Sequence, residues 1–223
     1  MKDLIIFGTN AFSKQLKQII EKDSDRRIKA FCLTTDYIKT DTFCGIPIID
    51  FDHLETCFKK DTFEILVSVG YGNMNNNREY IFKKCINKGY NVASYRHSTA
   101  KIMTDNIGIG NIFLINSFVS DFTKIGNGNI IHNNVIIEHE STIGDYNFFA
   151  GAAATAGLVK IASHCFLGAK SVICDEVSIA DYNLIGAGVV ISSDTESYSI
   201  HSVAKTRTIR NASLEMMNYL LIK

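Results

Sequence analysis

Apolar residues recur at every sixth position along the second half of the chain. In steps of six from Ile107 to Ile191, twelve of fifteen positions are Ile, Leu or Val, and two more are Phe. The next residue is often Gly or Ala, which we expect to let the backbone turn tightly. A six-residue period without insertions is typical of a parallel β-helix. The pattern therefore predicts a β-solenoid over 101–200, with three hexads in each triangular coil.

The first hundred residues follow another pattern, in which short apolar runs alternate with amphipathic stretches. Strands are predicted over 3–8, 28–33, 46–49, 64–70 and 91–95, and helices over 10–21, 51–60 and 76–88. This alternation predicts a small Rossmann-like parallel α/β domain over 1–100. Residues 201–223 carry apolar side chains near helical spacing and are predicted to cap the solenoid, with a short C-terminal helix.

The carboxyl ends of the predicted parallel strands are the expected ligand-binding edge of the first domain. The residues predicted to bind substrate there are Gly8, Asn10, Ala11, Thr35, Asp36 and Gly70. The glycine-rich fingerprint of dinucleotide-binding domains does not follow Gly8, so the sequence does not predict an NAD-dependent reaction.

Charge and composition exclude several classes of function. The 223 residues include 23 basic and 23 acidic side chains, without a basic run, so a nucleic-acid partner is not expected. No apolar run reaches the ~18 residues of a membrane span, and no export signal is recognised, so a cytoplasmic protein without a membrane partner is expected. The six cysteines form no CxxC pair and are predicted to be reduced thiols.

Several segments of the solenoid resemble one enzyme family. They are Val135–Gly144, Ala156-Gly157, Cys165–Gly168 and Leu184–Gly188. On them the chain resembles the nucleotide-sugar N-acetyltransferases of bacterial surface-glycan synthesis, which include PglD-like and NeuD-like enzymes. The resemblance is strong over 125–194 and weak over 1–100. It implies a left-handed β-helix, acetyl-CoA as acyl donor, a homotrimer and a nucleotide-linked amino sugar as acceptor, for O-antigen, capsule or protein-glycan synthesis.

The resemblance also implies roles for individual residues. His139 corresponds to the catalytic base, Glu140 to the carboxylate that raises its basicity, and Gly157 to the glycine whose amide faces the thioester carbonyl. Ala169 and Ala187 fall where the family's backbone contacts acetyl-CoA. The chain departs from the family at Phe12 and Phe148, where members carry histidines, and at Thr34-Thr35, where a carboxylate pair is replaced and Asp36 comes next.

The residues themselves support acyl transfer. Gly157 follows His139 by eighteen positions, so the two should stack on neighbouring coils. Transfer from a thioester to an amine needs a base and an oxyanion donor, for which imidazole and a backbone N–H are suited. Glu140 or Glu138 could orient the ring.

Two alternatives remain open, a sugar O-acetyltransferase and a non-catalytic sugar-nucleotide-binding protein. Thiol release by the wild type and by His139→Ala separates catalysis from binding alone. A metal-dependent hydratase is not predicted, because His132, His139 and His164 are not spaced by multiples of the coil length. No role is assigned to His132, His164 or His201.

Overall fold

The computed structural model describes residues 3–204 and begins with a small α/β domain. Its strands are β1 (Asp3–Phe7), β2 (Ile28–Leu33), β3 (Thr42–Phe43), β4 (Ile46–Asp50) and β5 (Phe63–Val67). Its helices are α1 (Ala11–Asp23), α2 (Leu54–Cys57) and α3 (Asn76–Asn87), with 3₁₀ turns at Thr35–Tyr37 and Phe51–His53. The sheet order is β3-β4-β2-β1-β5, and all pairs except β3–β4 are parallel.

The main differences from the predicted elements concern the strand predicted over 91–95, the end of β5 and the helix predicted over 51–60. The predicted strand 91–95 is reduced to a single bridge between Ile65 and Val92, and Tyr95–Arg96 instead pairs with Ile112–Phe113 in the solenoid. β5 ends at Val67, and the predicted helix 51–60 is only a 3₁₀ turn followed by α2. The first solenoid strand therefore precedes the predicted domain boundary at 100, which remains a prediction.

The solenoid consists of three parallel sheets, consistent with the predicted left-handed β-helix. The first face comprises Tyr95–Arg96, Ile112–Phe113, Ile130–Ile131, Phe148–Phe149, Phe166–Leu167, Leu184–Ile185 and Ile200–His201. The second face comprises Lys101–Ile102, Phe118–Val119, Ile136–Ile137, Ala154–Thr155, Val172–Ile173 and Val190–Ile191. The third face comprises Lys124–Ile125, Thr142–Ile143, Lys160–Ile161 and Ser178–Ile179. The predicted helical tail lies beyond 204, outside the described residues.

The six-residue series forms the core of the solenoid, as predicted. Its members from Phe113 to Ile191 are buried, and neighbouring coils pair residues eighteen apart, such as Ile137 with Thr155. Thr155 is the polar member of the series, and its hydroxyl accepts a hydrogen bond from the Glu138 N–H at 3.3 Å. The period thus correctly predicts which side chains face inward.

The reason given for the small residues was wrong. The left-handed turn residue does not directly follow the core residue but lies three positions after it, in a series that runs every sixth residue from Gly110 to Gly188. The small residues are small because the coils stack closely. A Cβ on Gly126 would lie 2.6 Å from the carbonyl oxygen of Gly144 on the next coil. In the stack that contains Gly126, contact between coils, and not a turn conformation, therefore excludes larger side chains.

The α/β domain covers the first face of the solenoid. Ile112, Ile130 and Phe148 point outward from this face but are buried against a cluster that includes Leu16 and Ile20 of α1. One hydrophobic cluster therefore contains residues of both parts of the chain, beside the separate core inside the solenoid.

Arg78 of α3 stabilises the contact between the α/β domain and the solenoid, and its side chain is buried, at 1% exposed. Its guanidinium donates to the carbonyl oxygens of Gly128 (2.8 Å), Tyr146 (2.7 Å) and Asn147 (3.1 Å) on the solenoid, and of Gly70 (3.0 Å) after β5. Burial lowers the pKa of Arg78 to about 9. Because several carbonyl groups share one buried cation, the segment at Gly70 is fixed against the solenoid.

Candidate active site

At each corner of the solenoid, residues eighteen positions apart lie above one another, one from each coil. The His139 corner (Asp121, His139, Gly157 and Asp175) joins the second and third faces. The Ala169 corner (Asn133, Gly151, Ala169 and Ala187) joins the first and second faces. The Asp145 corner (Asn127, Asp145, Ser163 and Asp181) joins the third and first faces. The predicted base therefore shares a corner with Gly157, whereas the other two predicted acetyl-CoA contacts, Ala169 and Ala187, lie at the opposite edge of the second face.

His139 is an accessible histidine beside a carboxylate. Its side chain is 52% exposed, and its Nδ1 lies 3.7 Å from Oε1 of Glu140. Glu140 is the turn residue of this corner, with a φ of 56°. The structure pairs the imidazole with Glu140, whereas the Glu138 backbone is hydrogen-bonded to Thr155 and Thr123. An exposed contact between a histidine and a carboxylate contributes little to stability, so this one is better suited to orienting the ring.

Gly157 lies directly against the His139 ring, on the next coil. A Cβ built on Gly157 would be 2.7 Å from both Cε1 and Nε2 of His139. The absence of a side chain therefore makes room for the imidazole. The Gly157 N–H donates to Oδ1 of Asp175 at 3.1 Å. Its role as an oxyanion donor requires that hydrogen bond to open, and this role remains a prediction.

A cavity of about 880 Å³ lies at the carboxyl ends of β1, β2 and β5. Four of the predicted substrate residues line it, Gly8, Asn10, Thr35 and Asp36, together with Lys39, Tyr80 and Lys84. The Asn10 side chain caps α1 by accepting from the Ser13 N–H at 2.9 Å. Thr35 donates to Asp50 at 2.6 Å, and this bond contributes most to lowering the pKa of Asp50.

A second cavity, of about 490 Å³, lies between the α/β domain and the first face. It contains the other predicted substrate residues, Ala11 and Gly70, and two of the three predicted acetyl-CoA contacts, Ala169 and Ala187. The structure thus divides the predicted substrate residues between two cavities that are separated by the start of α1.

The second cavity has an aromatic wall that the sequence did not predict. Its aromatic residues are Phe12, Tyr71, His132, Phe148 and Phe166. The His132 ring lies 5.4 Å from Phe12 and 5.3 Å from Phe148, between centroids, and burial lowers the pKa of His132. Counting in steps of eighteen predicts that His132 lies in one stack with Ala150 and Gly168. Its contact with Phe12 cannot be predicted in this way, because it depends on how the α/β domain packs on the solenoid. The sequence alone predicts no role for His132.

Within 3–204, no group of three His, Cys, Asp or Glu side chains could hold a metal ion. Over the same residues, no helix has the length and apolarity required to cross a membrane. His164 is buried between Tyr146 and Tyr182, where its ring stacks on Tyr182 at 4.7 Å.

Comparison with known proteins identifies the architecture. No protein-family model and no curated protein matches the sequence. A mutant of perosamine N-acetyltransferase from Caulobacter crescentus, in complex with CoA and GDP-perosamine, has a TM-score of 0.79 at 20% identity and covers 90% of this chain and 93% of that one. The acetyltransferase domain of PglB from Neisseria gonorrhoeae has a TM-score of 0.75 at 18% identity, with 90% and 96% covered.

WeeI from Acinetobacter baumannii gives a similar result, with a TM-score of 0.77 at 18% identity and 90% and 96% covered. The predicted resemblance to nucleotide-sugar N-acetyltransferases is therefore confirmed at the level of the fold, over both the α/β domain and the solenoid. At such identities the similarity establishes the architecture, and the chemistry has to be argued from the site.

Proposed function

We propose that this protein is a cytoplasmic, acetyl-CoA-dependent N-acetyltransferase that acts on a nucleotide-linked amino sugar during surface-glycan synthesis. One observation carries the proposal: an accessible His139, paired with Glu140, lies against a glycine at a corner of the β-helix. The neighbours of known activity, which include an enzyme bound to CoA and GDP-perosamine, support the same reaction class.

In the proposed reaction, His139 is the general base. Its Nε2 lies over Gly157, while its Nδ1 faces Glu140. The acceptor nitrogen loses a proton to the imidazole and forms a bond to the thioester carbon. The C–S bond then breaks, and the sulfur leaves with the electron pair and takes the proton from the imidazolium. Glu140 stabilises the imidazolium between the uptake of this proton and its transfer to sulfur. No covalent enzyme intermediate is needed.

The Ala169 corner is suited to the amide-rich arm of acetyl-CoA. Its last three residues, Gly151, Ala169 and Ala187, are small, so a ligand can approach the backbone. Within residues 3–204 their N–H groups have no hydrogen-bond partner, whereas the Asp145 corner uses side chains to bond the N–H groups of Asn127 and Ser163. Free N–H donors at an open corner are what a chain of amide carbonyls requires.

The start of α1 lies between the two cavities and is suited to a diphosphate. Asn10 lines the larger cavity and Ala11 the smaller one, and the first N–H groups of a helix attract anions. We therefore propose that the nucleoside occupies the larger cavity, near Thr35 and Asp36. The sugar then extends past Gly70 into the smaller cavity.

The second face supports a homotrimer. Beyond Lys101 of the first strand, its outward side chains form an apolar stripe of Phe118, Ile136, Ala154, Val172 and Val190, in which Val190 is 63% exposed. The third face instead presents Lys124, Thr142, Lys160 and Ser178. An exposed apolar patch on a soluble protein marks an interaction site.

A three-fold ring with the second face inward would also complete the active site. In such a ring the His139 corner of one subunit lies beside the Ala169 corner of the partner subunit, because these corners are the two edges of the inward face. This arrangement accounts for the separation of the base from Ala169 and Ala187 within one chain.

The trimer proposal predicts that Val172→Glu dissociates the assembly and abolishes turnover. A buried, unpaired carboxylate on the inward face is costly, and monomers lack half of the site. Thr142→Glu on the third face is the matched control and should remain an active trimer. Light scattering with activity assays tests this, and an active monomer would contradict the proposal.

The proposed reaction is tested by thiol release from acetyl-CoA with UDP-, dTDP- and GDP-linked amino sugars. We expect release that depends on one of these acceptors and an acetylated acceptor in equal amount. Binding of a sugar nucleotide without any thiol release would favour a non-catalytic binding protein. Transfer to a hydroxyl group alone would favour an O-acetyltransferase.

A further inference from the structure

Asp175 and His139 converge on the same glycine from opposite sides. Asp175 lies one coil beyond Gly157, and its Oδ1 accepts the Gly157 N–H at 3.1 Å. His139 lies one coil before Gly157, with Cε1 and Nε2 packed where a Cβ would stand. A carboxylate and an imidazole therefore border a residue that has no side chain of its own.

The hydrogen bond alone does not distinguish Asp175. On the Asp145 corner, Asp145 accepts the Asn127 N–H at 2.6 Å, and Asp181 accepts the Ser163 N–H at 2.7 Å. A carboxylate that caps the amide of the preceding coil is thus a repeated structural device of this solenoid. What sets Asp175 apart is that the amide it caps belongs to the glycine under the His139 ring.

We infer that Asp175 binds the protonated amine of the acceptor and thereby selects amines over hydroxyl groups. This inference rests on the proposed function. An alkylamine carries a proton near neutral pH, but only the unprotonated nitrogen can attack. A carboxylate beside Gly157 holds the ammonium group where Nε2 of His139 can take its proton. A hydroxyl group gains no such ionic contact.

The same contact links acceptor binding to the Gly157 amide. Without an acceptor, the Asp175 carboxylate accepts a hydrogen bond from the Gly157 N–H, which is the group predicted to face the thioester oxygen. When the carboxylate turns to the ammonium group, that N–H becomes free for the oxyanion. The acceptor R–NH₃⁺ and acetyl-CoA give the N-acetyl sugar, free CoA thiol and one proton, which His139 passes to solvent. Binding of the amine therefore frees the N–H group that its own acetylation requires.

The test compares two ligands on matched variants. Asp175→Asn keeps an oxygen that can accept the Gly157 N–H but removes the charge, and Asp181→Asn makes the same change on the Asp145 corner. Calorimetry in the presence of CoA measures the affinity of each variant for an amino-sugar nucleotide and for the analogue with a hydroxyl group in place of the amine. Circular dichroism and light scattering check the fold and assembly.

We expect Asp175→Asn to weaken binding of the amino sugar roughly tenfold or more, and to leave binding of the hydroxyl analogue unchanged. Asp181→Asn should change neither affinity. Equal effects on both ligands, or no effect in Asp175→Asn, would overturn the inference and leave Asp175 as a structural cap, while the wild type's acetyl transfer would still support the proposed function. A wild type that neither binds the amino sugar nor transfers acetyl would overturn both.

Discussion

Replacing His139 by alanine is expected to reduce turnover by roughly 10²–10⁴-fold, the usual effect of removing a general base. The affinity for acetyl-CoA should be unchanged, because the proposed contacts to acetyl-CoA come from backbone N–H groups of the Ala169 corner, which the substitution leaves in place. The fold should also persist, since the side chain is half exposed. Steady-state kinetics combined with acetyl-CoA calorimetry measures both quantities.

Two further variants separate basicity from shape. His139→Asn retains much of the side-chain volume without a base and should be nearly as slow as His139→Ala. Glu140→Gln should lose less activity, because Glu140 acts through the ring that it contacts at 3.7 Å. If a folded His139→Ala trimer kept wild-type turnover, the proposed mechanism would be wrong, and a binding protein would be the better account.

Gly157→Val is expected to lower turnover by about 10²-fold or more, since displacing a catalytic group by about 1 Å has an effect of this size. Even the first carbon of a side chain at this position would lie 2.7 Å from Cε1 and Nε2 of His139, so the imidazole must move. The backbone at Gly157 lies outside the left-handed region, so a side chain need not disturb the corner itself.

The graded variant Gly157→Ala distinguishes the two roles of the glycine. It keeps the backbone N–H and adds one carbon against the ring. A large loss in Gly157→Ala indicates that room for His139 is essential. A loss confined to Gly157→Val points to blocked access of the thioester instead. Near wild-type kinetics in Gly157→Val, with an intact trimer, would show that Gly157 serves neither purpose.

The six-residue period explains why the solenoid could be predicted in detail. Each hexad repeats the same contacts, so one series of residues determines the core, the faces and the stacking of His139 on Gly157. Asp175, two coils beyond His139, could have been found by the same counting. In contrast, the left-handed turn positions include Phe122, Leu158 and Lys170, which have no intrinsic preference for that conformation. Pairing between coils imposes it on them.

The candidate substrate site was less predictable because it depends on the docking of two domains. Counting along the sequence put Gly8 and Gly70 at one edge of one sheet. The structure assigns them to different cavities, because Arg78 holds the Gly70 segment against the solenoid. The contact of His132 with Phe12 likewise joins residues of both domains. No local pattern carries such information.

The most direct test of the account is the identity of the product formed from acetyl-CoA and the nucleotide-linked amino sugar that supports thiol release. Mass spectrometry and NMR of the acceptor should detect one acetyl group on nitrogen, formed in equal amount with free CoA by the wild type and at least 10²-fold more slowly by His139→Ala. An acetyl ester on the sugar, or an equal rate of amide formation in the folded variant, would contradict it.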